Sequence, residues 1–188
     1  MHTKHLARTV AAALLIGGLA TGGAALAHDD SPAPTERDRT SQATPTSTQV
    51  ETGIVVEATG SYAGHDVLVL LYENERYGNS LQVVLDPEND VIGWTEQEAP
   101  FVVDGRVDTD VTVDGRTARL TGTVVRTGET SKVVDPVQDG GEQIVTRGKH
   151  TQLDADLVLE FAGSSIPLEA APAFAFDLDV RRTTLYGR

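Results

Sequence analysis

The segment QLDADLVLEF, Gln152–Phe161, decides the fold. Leu153, Ala155, Leu157, Leu159 and Phe161 alternate with Asp154, Asp156 and Glu160. A period of two places one set on each face of an extended chain, so this stretch reads as a strand with one dry and one wet face. The same reading holds for Arg106–Val113, where Val107, Val111 and Val113 are the inner set, and for Thr117–Val125, where Ala118, Leu120 and Val124 are. In Phe174–Val180 it makes Phe174, Phe176, Leu178 and Val180 the inner set, against Asp177 and Asp179. One wet face is the mark of antiparallel sheets. Val67–Tyr72 and Leu81–Leu85 are apolar on both faces and are expected to lie centrally.

The turns agree. Asp104-Gly105 and Asp114-Gly115 are two-residue hairpin signals, because Asp and Gly tolerate the positive φ that such turns need. They belong to a repeated Val-Asp-Gly-Arg, at 103–106 and 113–116, offset by one strand plus one turn. No third copy follows, which argues against a solenoid or propeller. Strands at such spacing predict an all-β domain, an antiparallel β-sandwich or closed β-barrel of roughly nine or ten strands, over residues 50–188. This region carries 46 residues of the types Val, Ile, Leu, Phe, Trp and Tyr, 21 of them Val, enough for a core without disulfides.

The preceding sequence has another character. Lys4 and Arg8 precede an uncharged run, Thr9–Ala27, that ends in the small-x-small pattern Ala25-Leu26-Ala27. Residues 1–27 are therefore expected to be a signal peptide, cleaved to leave His28 at the N-terminus. An uncleaved anchor is the rival, since 19 uncharged residues approach a bilayer's span, but Gly17, Gly18, Gly22 and Gly23 weaken such a helix. Residues 28–49 hold three Pro, three Ser and five Thr and no large apolar residue, the composition of a disordered spacer. The destination expected is secretion without membrane insertion. Arginine outnumbers lysine by nine to two after residue 49, and Ala, Gly, Val and Asp dominate, a bias that suits a GC-rich bacterial genome.

Composition excludes more functions than it suggests. With no cysteine, a disulfide scaffold, a thiolate zinc site and a cysteine nucleophile are ruled out. A formal charge of −13 argues against nucleic acid and anionic membranes. A serine–histidine mechanism would have to combine His65 or His150 with Ser164 or Ser165, none in a nucleophile elbow, and His150 reads as a solvated turn residue. Asp108/Asp110, Asp154/Asp156 and Asp177/Asp179 put carboxyls ~7 Å apart, within the span of glycosidase pairs, yet opposite apolar positions and hence on wet faces. The expectation is no cofactor. Calcium is the most credible cation, with Asp86, Glu88, Asn89 and Asp90 as its first candidate ligands and Asp135, Asp139 and Glu142 as a second group.

The loop Tyr72–Ser80 joins the two most apolar strands and mixes tyrosine, arginine and asparagine, the composition of a binding surface. Arg76, Tyr77 and Asn79 are expected to be exposed there and to recognise an extracellular glycan, peptide or envelope component. Trp94 is expected in the core. The leading reading is a secreted, non-catalytic binding or cell-envelope structural module. Its alternatives are an extracellular carboxylate-dependent hydrolase acting on carbohydrate and a barrel that holds a small apolar ligand.

Overall fold

A computed structural model describes residues 46–86, 91–139 and 141–184. They form nine strands: β1 (Thr46–Tyr62), β2 (His65–Asn74), β3 (Gly78–Asp86), β4 (Val91–Gln97), β5 (Val102–Val103), β6 (Arg106–Val113), β7 (Arg116–Asp139), β8 (Glu142–Phe161) and β9 (Ser164–Thr184). Every pairing is antiparallel, and sequence neighbours are sheet neighbours from β1 to β4 and from β5 to β9. β1 pairs with β9, and β4 reaches β6, so the sheet closes on itself as an up-and-down barrel.

Closure depends on close approach. β4 meets β6 at Gly93 opposite Val113, and a Cβ on Gly93 would collide with a Val113 methyl and lie 2.7 Å from the Thr112 carbonyl oxygen. The two Asp-Gly turns behave as read: Asp104 and Asp114 have φ of 52° and 50°, Gly105 and Gly115 of 74° and 71°.

The interior is filled by the residues that the alternation assigns to it. Val107, Val111 and Val113, then Ala118, Leu120 and Val124, then Leu153, Leu157, Leu159 and Phe161 are all buried in one cluster with Val56, Val67, Leu71 and Leu81. Eight-stranded barrels are narrow enough for side chains to fill them. Leu120, Leu157 and Leu159 have no exposed surface.

Four expectations change. β1 begins at Thr46, inside the expected spacer, because Thr46–Gln49 add backbone pairs to Arg182, Arg181 and their neighbours on β9. In β9, Ala175 joins the barrel core, whereas Phe174, Phe176, Leu178 and Val180 lie on the opposite face. The cause is an irregularity at Ala170–Ala173, where three β9 residues span the space of two on β1 and the inward parity reverses. Phe176 and Val180 are nonetheless buried, Phe176 stacked on Tyr72 with ring centres 6.2 Å apart. In β2 and β3 the outward Leu68, Leu70 and Val84 are only half-buried, since a barrel wall has no second layer behind it. Trp94 shares that outer face and is 53% exposed.

Beyond one mouth of the barrel, β7, β8, β9 and the start of β1 continue as a four-stranded flare. Its pairings run Lys132–Lys149–Asp177–Thr52, then Val134–Arg147–Asp179–Val50, then Pro136–Val145–Arg181–Thr48. Lys132 and Pro136 sit on the β7 edge, two residue types that discourage another strand from pairing there.

Candidate functional site

The inward positions of β2 run Val67, Val69, Leu71, Glu73, and those of β3 run Asn79, Leu81, Val83, Leu85. The same alternation that fills the barrel thus delivers a carboxylate and an amide to its mouth. Glu73 and Asn79 are buried, and both hold the strap that crosses from β4 to β5. The Glu73 carboxylate accepts the Val102 N–H at 2.6 Å, and Asn79 donates to the Glu98 carbonyl at 2.9 Å. Phe101, on the strap, is buried in the core cluster. Burial pushes the Glu73 carboxyl above the usual carboxylate range, against the opposing effect of hydrogen bonds from the Val102 and Phe101 amides.

The β2–β3 turn is built on Asn74. Its side-chain oxygen accepts the N–H groups of Arg76 at 2.9 Å and Tyr77 at 3.2 Å, and its amide donates to the Tyr72 hydroxyl at 2.8 Å. Asn79 closes the turn by accepting the Asn74 N–H at 3.1 Å. The loop tip therefore stands on a buried, saturated polar base. Tyr77 leans over it, 49% exposed, with the Arg76 guanidinium 5.9 Å from the ring centre. Its hydroxyl lies within reach of Gln49 at 3.2 Å and the buried Glu51 at 3.3 Å, which ties the ring to β1. Burial, with smaller contributions from Glu51 and Tyr77, raises the Tyr72 hydroxyl above its ordinary value.

Between this turn, the strap and β7 lies a cleft of about 690 Å³, whose walls include Thr52, Glu73, Arg76, Tyr77, Glu98 and Arg126. The Thr52 hydroxyl is buried there without a hydrogen-bond partner. Of the expected recognition residues, Arg76 and Tyr77 are exposed at this cleft, whereas Asn79 is buried because its amide is spent on the strap and the turn. Glu73, Glu98, Pro100 and Arg126 escaped the sequence reading, although the period of two running from Val67 marks Glu73 as an inward charge.

The other candidates are dispersed. Ser164 pairs with Phe161 at the β8–β9 turn, whereas His150 pairs with Phe176 in the middle of that ladder. His150 is not a turn residue: it lies within β8, half-buried, stacked on Phe174 with ring centres 4.2 Å apart, and desolvation lowers its pKa. His65 faces Asp86, Nδ1 to carboxylate 3.6 Å. Of the calcium candidates Asp86 ends β3, while Glu88, Asn89 and Asp90 lie outside the described residues. Asp139 pairs with Glu142 at the tip of the β7–β8 hairpin. No group of three or more His, Asp or Glu able to hold a metal occurs among the described residues. All three Asp-x-Asp pairs are exposed.

No family model matches this chain, and no curated protein matches it in sequence. Among solved structures it is similar to one from Nitrosomonas europaea provisionally assigned as an AttH, with 11% identity over 73% of this chain and 52% of that one, and a TM-score of 0.27. The chain spans about half the length of that protein, and the superposition is too loose to transfer function. No helix among the described residues is long and apolar enough to cross a membrane.

Proposed function

We propose that this chain is an exported bacterial binding protein without catalytic activity, and that the mouth cleft takes a segment of an extracellular glycan. The observation that carries the reading is the pairing of a half-exposed aromatic ring, Tyr77, and a guanidinium, Arg76, on a turn whose buried polar groups are already engaged. A sugar ring presents C–H faces to an aromatic and hydroxyls to charged groups, and a rigid base lowers the entropy lost on binding. The unpartnered Thr52 hydroxyl and the Glu98 and Arg126 side chains in the same walls suit a polyhydroxylated ligand. Export is supported by the basic start and the uncharged run to Ala27.

One observation favours a second reading. Glu73 is a carboxyl of raised pKa in a cleft that also holds Glu75 and Glu98, the pattern of a glycoside hydrolase acid and its partner. Its backbone hydrogen bonds to the strap speak for a structural role instead.

The test uses glycan arrays or envelope polysaccharide pull-downs with the full chain. Tyr77→Ala with Arg76→Ala is expected to weaken binding at least tenfold, while Tyr77→Phe, which keeps the ring and loses the tether to Glu51, retains it. Equal binding by the double variant removes the mouth from the proposal. Turnover of a glycan, lost in Glu73→Gln, would establish the hydrolase instead.

A further inference from the structure

The flare has one face that its surroundings do not explain. Pairing across β7, β8 and β9 brings Lys132, Arg147, Lys149 and Arg181 to a single side, with Asp177 and Asp179 among them. Four cations against two carboxylates leave this face two positive charges in excess, on a chain whose formal charge is −13. All six side chains are exposed.

The arrangement is unfavourable as it stands. Lys132 lies directly opposite Lys149, and like charges at facing positions destabilise a sheet. Lys149 has Asp177 at 3.7 Å, but among the described residues neither Lys132 nor Arg147 has an ion pair. Nor is the face flat and wholly charged: Val50 and Val134 are 61% and 66% exposed on it, flanking Asp179 and Arg147 in one row. A shallow cleft of about 460 Å³ runs between Lys132, Val134, Arg147, Lys149, Asp177 and Asp179.

We infer that this face binds a linear polysaccharide bearing carboxylate groups, of the uronic-acid class. The cations require an anionic ligand. The interleaved Asp177 and Asp179 narrow the choice, because ionised carboxylates only accept hydrogen bonds and so need donors. A polyuronate carries carboxylates for the lysines and arginines, hydroxyl donors for the aspartates and C–H surface for the valines. A polyphosphate offers neither donors nor apolar surface and meets repulsion from both aspartates. The face adjoins the mouth cleft through Thr52, which lies in the Lys132–Lys149–Asp177 row and also in the cleft wall. The inference extends the glycan-binding reading to a second surface and a defined ligand class, and it rests on that reading only for the kind of ligand.

Polygalacturonate is the probe, with dextran as the neutral and polyphosphate as the anionic comparison, all titrated calorimetrically into the full chain. Wild type is expected to bind polygalacturonate in preference to both, with affinity falling steeply as salt rises. Lys132→Glu with Lys149→Glu is expected to lose at least about tenfold, as two reversed charges replace attraction by repulsion. Lys132→Gln with Lys149→Gln, which adds no repulsion and so no folding penalty, should show a smaller loss in the same direction. Asp177→Ala with Asp179→Ala should erase the preference over polyphosphate. No binding of polygalacturonate, equal or tighter binding of polyphosphate by wild type, or undiminished binding by both lysine variants overturns the assignment. The Tyr77 and Arg76 variants separate the two surfaces: polygalacturonate binding lost there but untouched by the lysine changes leaves the mouth standing and removes the flare.

Discussion

The barrel and the flare are made by the same strands, joined through a shift of register in each ladder, yet they are different materials. On β8, the inward positions Leu153, Leu157 and Leu159 are buried; two and four residues past Leu153 toward the flare come Thr151 and Lys149, with Arg147 next. The alternation never breaks there. What changes is the neighbour: within the ring each inward side chain meets the opposite wall, and past the mouth it meets water. Closure, rather than strand propensity, decides which half of the alternation becomes core.

The largest expected effect tests that difference. Leu120→Ala, in the barrel, should cost ~2–5 kcal/mol, the loss of a fully buried side chain together with its cavity. Val134→Ala, on the flare at 66% exposure, should change stability by less than ~0.5 kcal/mol. Urea denaturation of the two variants measures both. Comparable losses would mean that the flare is packed as the barrel is, and the contrast would fail.

A smaller effect sits at the boundary between the two regions, in Glu73. Its carboxyl has a raised pKa in the folded state because burial disfavours the charge. Between the ordinary carboxylate value and the raised one, the folded chain therefore binds more proton than the unfolded chain, and the contribution of Glu73 to stability falls as pH rises through that interval. Glu73→Gln removes this dependence. The stability of the variant relative to wild type should improve as pH rises above the ordinary carboxylate value of ~4.3, read by denaturant titration at each pH. A difference that stays constant would show that the strap hydrogen bonds cancel desolvation and leave the folded carboxyl at its unfolded value.

How much of this was legible in the sequence follows from the same contrast. Strand type, hairpin turns and the inward sets of β6, β7 and β8 were readable because each depends on local alternation. The choice of a barrel was not, since it turns on Gly93 meeting Val113, a contact between chain segments that no local pattern encodes. The face of β9 is hidden from the local pattern for a related reason: the irregularity at Ala170–Ala173 reverses parity, while Phe176 finds a separate cover on Tyr72 and Phe174 on His150. At the mouth, Arg76 and Tyr77 were visible from composition. Asn79 reads as solvent-facing when the loop is taken to run to Ser80, although counting back by twos from Leu85 places it inside.

The smallest effect concerns ion pairs, one on each region. On the barrel wall Arg119 grips Asp108 with two hydrogen bonds, Nε to Oδ1 at 2.8 Å and Nη2 to Oδ2 at 2.9 Å; on the flare Lys149 approaches Asp177 at 3.7 Å. The Arg119 hydrogen bonds hold the Asp108 carboxyl below its usual range. A depressed folded pKa means stability that is present above the unfolded value and lost as pH falls through the folded one. Both partners are open to water, however, and the attraction is screened and offset by the ordering of two long side chains. Asp108→Asn and Asp177→Asn should therefore leave the melting temperature equally unmoved at neutral pH, despite the better geometry of the first. A clear drop for Asp108→Asn alone would show that the outer wall of the barrel contributes to stability in a way the flare does not, and the line between the two regions would have to be drawn by more than what lies inside the ring.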